Sequence, residues 1–450
     1  MRRGRTAVAG RTSATGRARV AALRKGIVIG RSCALLHGPA SAAEAMAARQ
    51  AGYRTAPDAR PVVGSPSPRA GGPLLTPGTY TDTVSVGDRK FYRVRLDGRS
   101  NAYVSAVLAP PPGSRAGATD GIRVSLVSPD GAECSDSNDI VFGTATPLPT
   151  ADYSTRRIGP GRACQEAGDY LYSVEWIGPT GGAAPRDWRV EIKYMTEPGL
   201  RTGSPTPAPP SSRHTHTPDH IPGPERRVEG GSGFNDAARL GHGVWADRLG
   251  PGESRFYRVP VDWGQQLFVD ARFTGAVAPR RPVYDGVRVT VFNTARGFVE
   301  NTARAHRTAT TRLSLATEPA AFANRTSDRD ATSGMRFSGW YYLRVSADRK
   351  IPGELPVTLA VGIEGEPHPA PPYAGDPLRE GFGVLAEDRA QPPPADQQAA
   401  PQDDDDTREL VLTVIGVTGI TLGTTLLLGL LAWTALARLG LGRKRGRHAS

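Results

Sequence analysis

Over two long regions the chain alternates apolar and polar side chains with a period of two. Tyr92, Val94 and Leu96 alternate with Phe91, Arg93 and Arg95, and Tyr257, Val259 and Val261 do the same. Val104, Ala106 and Leu108 match Val269, Ala271 and Phe273, while Ile122, Val124 and Leu126 match Val287, Val289 and Val291. Tyr170, Tyr172 and Val174 match Tyr341, Leu343 and Val345, and Trp188, Val190 and Ile192 match Val357, Leu359 and Val361. Each set places apolar residues on one face, as a half-buried antiparallel strand requires. Neither region carries a 3.6-residue stripe. Short strands punctuated by Gly and Pro turns predict a β-sandwich in each region. Pro260 cannot donate to a ladder, so its strand should have that N–H position at an edge or bulge.

The two regions are copies. Gly78 to Asp97 (GTYTDTVSVGDRKFYRVRLD) recurs as Gly243 to Asp262 (GVWADRLGPGESRFYRVPVD), at an offset of 165 residues that holds without a gap to Val124 and Val289. Self-similarity of this kind implies two copies of one fold. The predicted order is a signal peptide over 1–45, a flexible leader over 46–76, and a first repeat over 77–198. A Pro-rich linker (199–232), a second repeat (233–366) and a Pro- and Asp-rich stalk (367–409) follow. Within the stalk, Phe382-Gly-Val-Leu385 is a short apolar segment with a capacity to dock.

The two ends point to a membrane. Leu410 to Ala437 is uncharged over 28 residues, about 42 Å as a helix, more than a hydrocarbon core of about 30 Å requires. Asp403 to Asp406 precede it, and Arg438, Arg443, Lys444, Arg445 and Arg447 follow in the 438–450 tail. Positive residues stay inside, so the tail is cytoplasmic and the repeats lie outside the cell membrane, a single-pass type I arrangement. Gly419 and Gly423 have GxxxG spacing on that helix, a candidate packing face for a second helix, although chance spacing in a Gly- and Thr-rich segment is the simpler reading. At the N-terminus, basic residues, the apolar Ile27-Val28-Ile29 and Cys33 to Leu36, and an A-x-A site at Ala40-Ser41-Ala42 or Ala43-Glu44-Ala45 have the order of a signal peptide. Arg31 interrupts the apolar run, which makes it atypical, and a basic arm is the alternative.

The net charge of +12 belongs to these ends. Residues 1–31 carry nine Arg or Lys and residues 438–450 carry five, with no acid in either, which leaves −2 for the residues between. The middle therefore offers no field for nucleic acid. Only five of the 56 basic residues are Lys, and Gly (53) and Pro (40) are abundant, a composition associated with GC-rich bacteria.

Cys33 would leave with the signal peptide. Cys134 and Cys164 remain, and an exported location permits a disulfide between them. Closing about 30 residues stabilises a domain by roughly 3 kcal/mol in the chain-entropy model. The second repeat has no cysteine.

Candidate chemistry is sparse. The chain has no HExxH, GxSxG, P-loop or CxxC motif. Residues 70–198 hold no histidine, and the second repeat only His242 and His306. The carboxylates Asp82/Asp247, Asp97/Asp262 and Asp120/Asp285 pair up between repeats, but turns and exposed strand ends account for them. His214, His216, Asp219 and His220 have types and spacing that suit Zn²⁺ or Cu²⁺. Asp136, Asn138 and Asp139, or Asn324, Asp328 and Asp330, supply hard oxygens for Ca²⁺. A solvated linker and polar loops explain these sets more simply, so no cofactor and no catalytic residue is expected.

The order Gly-Asp/Glu-x-x-Phe-Tyr-Arg-Val, then Asp-Gly, then Gly-x-Tyr resembles the bacterial pre-peptidase C-terminal domain. It is carried by Gly87 to Val94, Ser128-Pro-Asp-Gly131 and Gly168-Asp-Tyr170, and again by Gly252 to Val259 and Gly339-Trp-Tyr341. The resemblance implies a jelly-roll-like, non-catalytic sandwich appended to secreted or surface proteins. The whole layout resembles actinobacterial exported single-pass membrane proteins.

These readings converge on a mainly β chain: two tandem jelly-roll-like antiparallel β-sandwich domains plus one C-terminal transmembrane helix. The favoured function is a non-enzymatic, surface-anchored binding or scaffold protein. Its partner would be another exported protein, an envelope polymer or a carbohydrate, with the exposed strand positions Phe91, Tyr103, Phe256 and Phe268 as candidate contacts, although covered sheet faces are the simpler reading of each. The alternatives are an accessory subunit of a membrane secretion or cell-wall complex, and a surface hydrolase of unrecognised type.

Overall fold

The computed structural model describes residues 52–135, 140–142, 147–178, 187–205, 214, 218, 221–275 and 279–389. The segment expected as a signal peptide, the segment expected as a membrane helix with Gly419 and Gly423, and the basic tail lie outside them. Among the described residues no helix is long and apolar enough to cross a membrane.

The first repeat comprises β1 (Arg60–Pro61), β2 (Leu74–Leu75), β3 (Gly78–Val84), β4 (Arg89–Leu96), β5 (Asn101–Ala109), β6 (Gly121–Val127), β7 (Ile140–Val141), β8 (Thr150–Arg156), β9 (Gly168–Ile177) and β10 (Trp188–Glu197). The second comprises β11 (Glu225–Arg227), β12 (Ala238–Arg239), β13 (Gly243–Leu249), β14 (Ser254–Val261), β15 (Gln266–Thr274), β16 (Val283–Phe292), β17 (Phe298–His306), β18 (Thr310–Ala316), β19 (Gly339–Ala347) and β20 (Leu355–Glu364). Each strand of the first repeat has its counterpart ten numbers later. The sheets run β1-β3-β10-β5-β8 and β2-β4-β9-β6-β7, then β11-β13-β20-β15-β18 and β12-β14-β19-β16-β17. The duplication read from the sequence is thus a duplication of topology.

Within each repeat eight antiparallel strands form two sheets in the order of a jelly roll. The inward positions of the period-two pattern fill the cores. Tyr92, Val94, Val104, Val124, Tyr172 and Ile192 pack together in one, and Tyr257, Val259, Val269, Val289, Leu343 and Leu359 in the other. The recurring Gly-Asp/Glu turn before β4 and β14 has its physical reason in Gly87 and Gly252, at φ 82° and 75°, where a side chain would be strained. Pro260 sits where expected: β12 pairs with Tyr257 and Arg258 and stops short of it.

Three segments read as flexible carry structure where described. Residues 60–75 of the leader supply β1 and β2, which add in parallel to β3 and β4. Residues 225–227 of the linker supply β11, parallel to β13. The stalk from 367 to 389 crosses both repeats, as shown below. Low apolar content hid these segments because each binds through main-chain bonds and a few large side chains.

Candidate functional site

The repeats are not beads on a linker. The outward face of sheet β1-β3-β10-β5-β8 packs on the outward face of sheet β12-β14-β19-β16-β17. Val107, Ala109 and Ala151 of the first repeat meet Phe256, Phe292 and Tyr342 of the second, with Tyr53 and Phe234 between them. Phe234 packs edge-on against Phe256, Phe292 and Tyr342 at 5.1–5.2 Å. Gly297 lies so close to Tyr153 that a Cβ there would fall 2.2 Å from the ring.

Charge is built into this seam. Glu191, fully buried on β10, accepts from the Tyr53 hydroxyl (3.1 Å), the Asn235 amide (3.0 Å) and the Ala56 N–H (2.7 Å), and pairs with Arg296. Arg296 also donates to Asn235 Oδ1 at 2.7 Å. Burial works against its charge, but Tyr53 and Glu191 more than offset that and hold the guanidinium firmly protonated. Burial pushes the neighbouring Lys193 down to about 8. It pushes Asp152, on β8, up to about 7, against N–H groups of Tyr153 and Phe298 that favour the ionised form. Arg344 is pushed down to about 9, with Arg288 adding to the effect of burial. It bonds Thr290 Oγ1 (3.2 Å) and reaches across the seam to the Pro149 carbonyl.

Arg296 reaches Glu191 from an unusual backbone. It is one of three non-glycine residues with positive φ (65°) among the described residues. The equivalent turn of the first repeat has Gly131 there, at φ 90°. Both turns close alike, Ser128 N–H to Ala132 O and Asn293 N–H to Gly297 O, each 2.9 Å. Repeat 2 therefore holds a left-handed residue that costs of order 1–3 kcal/mol in order to aim a guanidinium across the seam.

A second junction forms at Glu197, at the end of β10. It accepts from Asn101 (2.9 Å) and Tyr103 (2.7 Å) of its own repeat, Arg325 of the second (3.0 Å), and Tyr373 of the C-terminal segment (2.6 Å). That segment then inserts Phe382 against Tyr103 (5.7 Å) and Phe337 (5.0 Å), one from each repeat. Arg389 ends it on buried Asp262 at 3.0 Å. The Phe382 segment of the sequence reading therefore docks on the seam.

A cleft of about 400 Å³ takes its walls from both repeats: Pro110–Ser114 and Pro147–Pro149 from the first, Glu229–Ser232 and Pro251–Arg255 from the second. Ser114 and Ser254 in these walls each hold a buried hydroxyl with no hydrogen-bond partner.

The four aromatic candidate contacts are not exposed. Phe91 is 9% exposed, Tyr103 1%, and Phe256 and Phe268 0%. Arg89 and the leader around Gly72 cover Phe91, the C-terminal segment covers Tyr103, and the seam covers Phe256. Ile221 of the linker lies beside Phe268, over Gly362. Asp82 and Asp247 are likewise not exposed strand ends. They accept from Tyr92 (2.7 Å) and Tyr257 (2.6 Å), and from the N–H of Gly64 (2.7 Å) and Gly230 (2.8 Å), which pins the chain entering each sandwich. Tyr92 and Tyr257 are in consequence shifted upward, by burial first and the carboxylates second.

Cys134 and Cys164 are bonded, with Cα atoms 5.4 Å apart. Asp97 caps a turn through the Arg99 and Ser100 N–H groups, and Asp120 closes one through the Gly117 N–H. His214 is exposed and meets Gln266 through its main chain. His216, Asp219, His220, Asp136, Asn138 and Asp139 lie outside the described residues. The Asn324 amide donates to the Pro319 and Met335 carbonyls, 2.8 Å each, so it serves its own turn, and the Asp328 side chain is 94% exposed. Among the described residues no three His, Cys, Asp or Glu gather to hold a metal ion. His306, buried on β17, shares a 2.8 Å bond with Thr311, and burial lowers its pKa.

No family model and no curated protein matches the chain. Among solved structures it is similar to the periplasmic g-type lysozyme inhibitor PliG of Aeromonas hydrophila, at 13% identity over 31% of this chain and all of that one, TM-score 0.17. It is also similar to tandem CBM51 modules of a family 98 glycoside hydrolase of Streptococcus pneumoniae, at 10% identity over 64% of this chain and 83% of that one, TM-score 0.17. The CUB1-EGF-CUB2 region of human MASP-1/3 aligns at 8% identity over 63% and 99%, TM-score 0.17. Likenesses this distant transfer no function.

Proposed function

We propose that this chain is a non-enzymatic, membrane-anchored binding or scaffold protein, and that its two sandwiches act outside the cell as one rigid module of the pre-peptidase C-terminal type. The seam cleft carries this reading, because its walls exist only when the repeats are packed together. Arg54, Arg255 and Arg349 line the same cleft beside Glu229, Asp236 and Glu253, so a polar, hydroxyl-rich envelope component fits it better than an apolar one. The disulfide accords with an oxidising compartment.

The test is co-sedimentation of the full-length protein in detergent with isolated cell envelope, compared with an Arg54→Glu variant. The Arg54 side chain is 72% exposed at the cleft, so the variant should melt normally and lose most envelope binding. Equal binding by both proteins would remove the cleft from consideration. Protease shaving of intact cells should release the repeats; protection of them would overturn the external location.

A further inference from the structure

We propose that the Tyr284 end of the second repeat is a docking surface for an anionic glycopolymer, a sugar-bearing chain whose repeating units are joined by phosphate esters. Two neighbouring segments build it. Arg280, Arg281 and Tyr284 come from the chain entering β16, and Arg304 and Arg307 from the end of β17. The Gly275 N–H donates to the Ala309 carbonyl at 2.7 Å, which ties the two segments together. Tyr284, at 73%, is the one exposed aromatic ring among the described residues.

Charge and backbone both set this end apart. Residues 279–312 hold seven Arg and two acids, a net of +5, inside a middle region whose net charge is −2. Three of the seven have carboxylates: Arg288 has Asp285 at 3.8 Å, Arg296 has Glu191, and Arg312 has Asp270. The other four, Arg280, Arg281, Arg304 and Arg307, are exposed, and among the described residues none of them pairs with a carboxylate. The Arg307 guanidinium instead lies 5.9 Å from the centre of the Tyr284 ring. Arginines by themselves would only blunt the open edge of β17. The ring needs a further device. Between Val283 and Val287 the register with β17 breaks, so Tyr284, Asp285 and Gly286 stand opposite Ala305 alone. Asp285 takes φ 48°, a left-handed conformation that side chains rarely adopt. The first repeat does without this. Thr119 and Asp120 stand at the equivalent places, and Asp120 is buried with its carboxylate on the Gly117 N–H at 2.9 Å. A bulge that re-aims a ring into water on a strained backbone marks the second copy as the one with a ligand.

Planar guanidinium groups bind phosphate oxygens through paired N–H bonds, and an exposed tyrosine offers a sugar a flat apolar face with a hydroxyl at its edge. The strand β19 begins at Gly339 beside Val261, near Asp262 and Arg389, and ends at Ala347 beside Val287. The surface is therefore at the opposite end of the sandwich from Arg389, the described residue nearest the expected membrane segment. In the membrane-anchored reading, on which this choice of occupant rests, that end faces away from the bilayer, which favours an envelope polymer over lipid headgroups.

The test measures binding of the full-length protein in detergent to a glucosylated poly(glycerol phosphate), with inorganic polyphosphate, dextran and duplex DNA for comparison. The wild type should bind the glucosylated polymer most tightly of the four, and less tightly as salt is raised. Arg304→Glu/Arg307→Glu should lower that affinity at least about tenfold. Arg69→Glu/Arg99→Glu makes the same change in net charge at exposed positions of the first repeat, and should leave most of the affinity in place. Tyr284→Ser should weaken binding of the glucosylated polymer about fivefold and leave that of polyphosphate unchanged. All five positions are exposed, so each variant should melt near the wild-type temperature. Equal losses from the two charge reversals would reduce the effect to net charge and overturn the surface. Tighter binding of polyphosphate, dextran or DNA, or no binding of the polymer, would overturn the occupant, as would an equal loss on both phosphate chains from Tyr284→Ser. Arg54→Glu should bind the polymer as the wild type does, and binding is read in solution, so this surface stands or falls apart from the cleft and from the external location.

Discussion

The same sheet face occurs twice in this molecule and meets two different fates. On the first repeat, Val107 of β5, Ala151 of β8, and Glu191, Lys193 and Met195 of β10 lie in the seam. Strand register places Arg272, Arg312, Thr358, Ala360 and Gly362 at the equivalent points of the second repeat. The opposing face shows the reverse. Phe256, Trp340, Tyr342 and Arg344 of the second repeat correspond to Phe91, Asp169, Leu171 and Ser173 of the first. The contrast is sharpest at Val107 and Ala151, whose copies are Arg272 and Arg312, and at Trp340, whose copy is Asp169; the meeting faces also hold Glu191, Lys193 and Arg344, and their copies keep Phe91 and Leu171. On the free faces the arginines pair locally, Arg95 with Asp169 at 2.7 Å and Arg312 with Asp270 at 2.8 Å. A third sandwich stacked in the same way would have to bury those charges, at a cost in desolvation.

The largest expected effect comes from breaking the central pair. Arg296→Leu leaves Glu191 ionised and buried with only neutral donors, which typically costs about 3–5 kcal/mol. Urea unfolding should show that loss, or a single transition should split into two as the repeats part. An unchanged, single transition would mean that the seam does not persist in solution. Glu191→Gln in the same chain should recover part of the loss, which identifies an interaction between the two residues.

Next in size is a pH effect. Asp152 has its pKa raised from the usual carboxylate value to about 7 by burial. A raised acid stabilises the fold fully below its unfolded pKa, near 4, and that contribution is lost as pH rises through 7. The full span is up to about 4 kcal/mol, at 1.36 kcal/mol per pKa unit. Asp152→Asn should therefore be more stable than the wild type at pH 8 and gain nothing at pH 4. The measurement is melting temperature of both proteins across pH 4–8; parallel curves would place the carboxyl in water. Lys193 works in the opposite sense, since its lowered pKa removes stability as pH falls through 8. The variant comparison isolates Asp152 from it.

Smaller again is the disulfide, which the first repeat has and the second lacks. Cys134→Ser/Cys164→Ser should lower stability by about 3 kcal/mol, the entropy of closing that loop in the unfolded chain. Hydrogen exchange should show the loss in the first repeat and in what rests on it. A uniform loss over both would mean that the repeats unfold as one unit.

Much of this was legible in the sequence. The period-two sets, the 165-residue offset and the Cys134–Cys164 pair foretold the strands, the duplicated topology and the bond, because inward alternation and turn glycines are local requirements. The pairing of the repeats was not legible, for a physical reason. Period-two reading assigns one face to the core and does not say what covers the other, so Tyr103, Phe256 and Phe268 read as covered faces or contacts without the element that covers them. Outward residues such as Val107, Ala151 and Tyr342 carried the missing signal, visible only when each is set against its copy. Arg296 is the sharpest case: an Arg where the other repeat has Gly131 breaks a local rule, and such breaks mark places where tertiary contact overrides propensity. The segments at 60–75 and 371–389 gave no periodicity because they attach through two-residue strands, short runs of main-chain bonds and a few large side chains.

The smallest expected effect tests the comparison most directly. Arg272→Val copies the seam residue Val107 onto the free face, where its partner across the strand is Arg312. If that face is open to water, the change removes one exposed charge and should alter stability by no more than about 0.5 kcal/mol, as surface substitutions do. It also removes a like charge beside Arg312, which favours a slight gain. The reciprocal Val107→Arg forces a second guanidinium into the packed seam beside Glu191, whose oxygens already serve Arg296, Tyr53, Asn235 and Ala56, and its cost should resemble that of Arg296→Leu. The two equivalent substitutions should thus differ by several kcal/mol in thermal or urea unfolding. A cost of about 2 kcal/mol for Arg272→Val would reveal that the second repeat's outer face is covered in solution, and the charge pattern would then mark a further interface instead of an end.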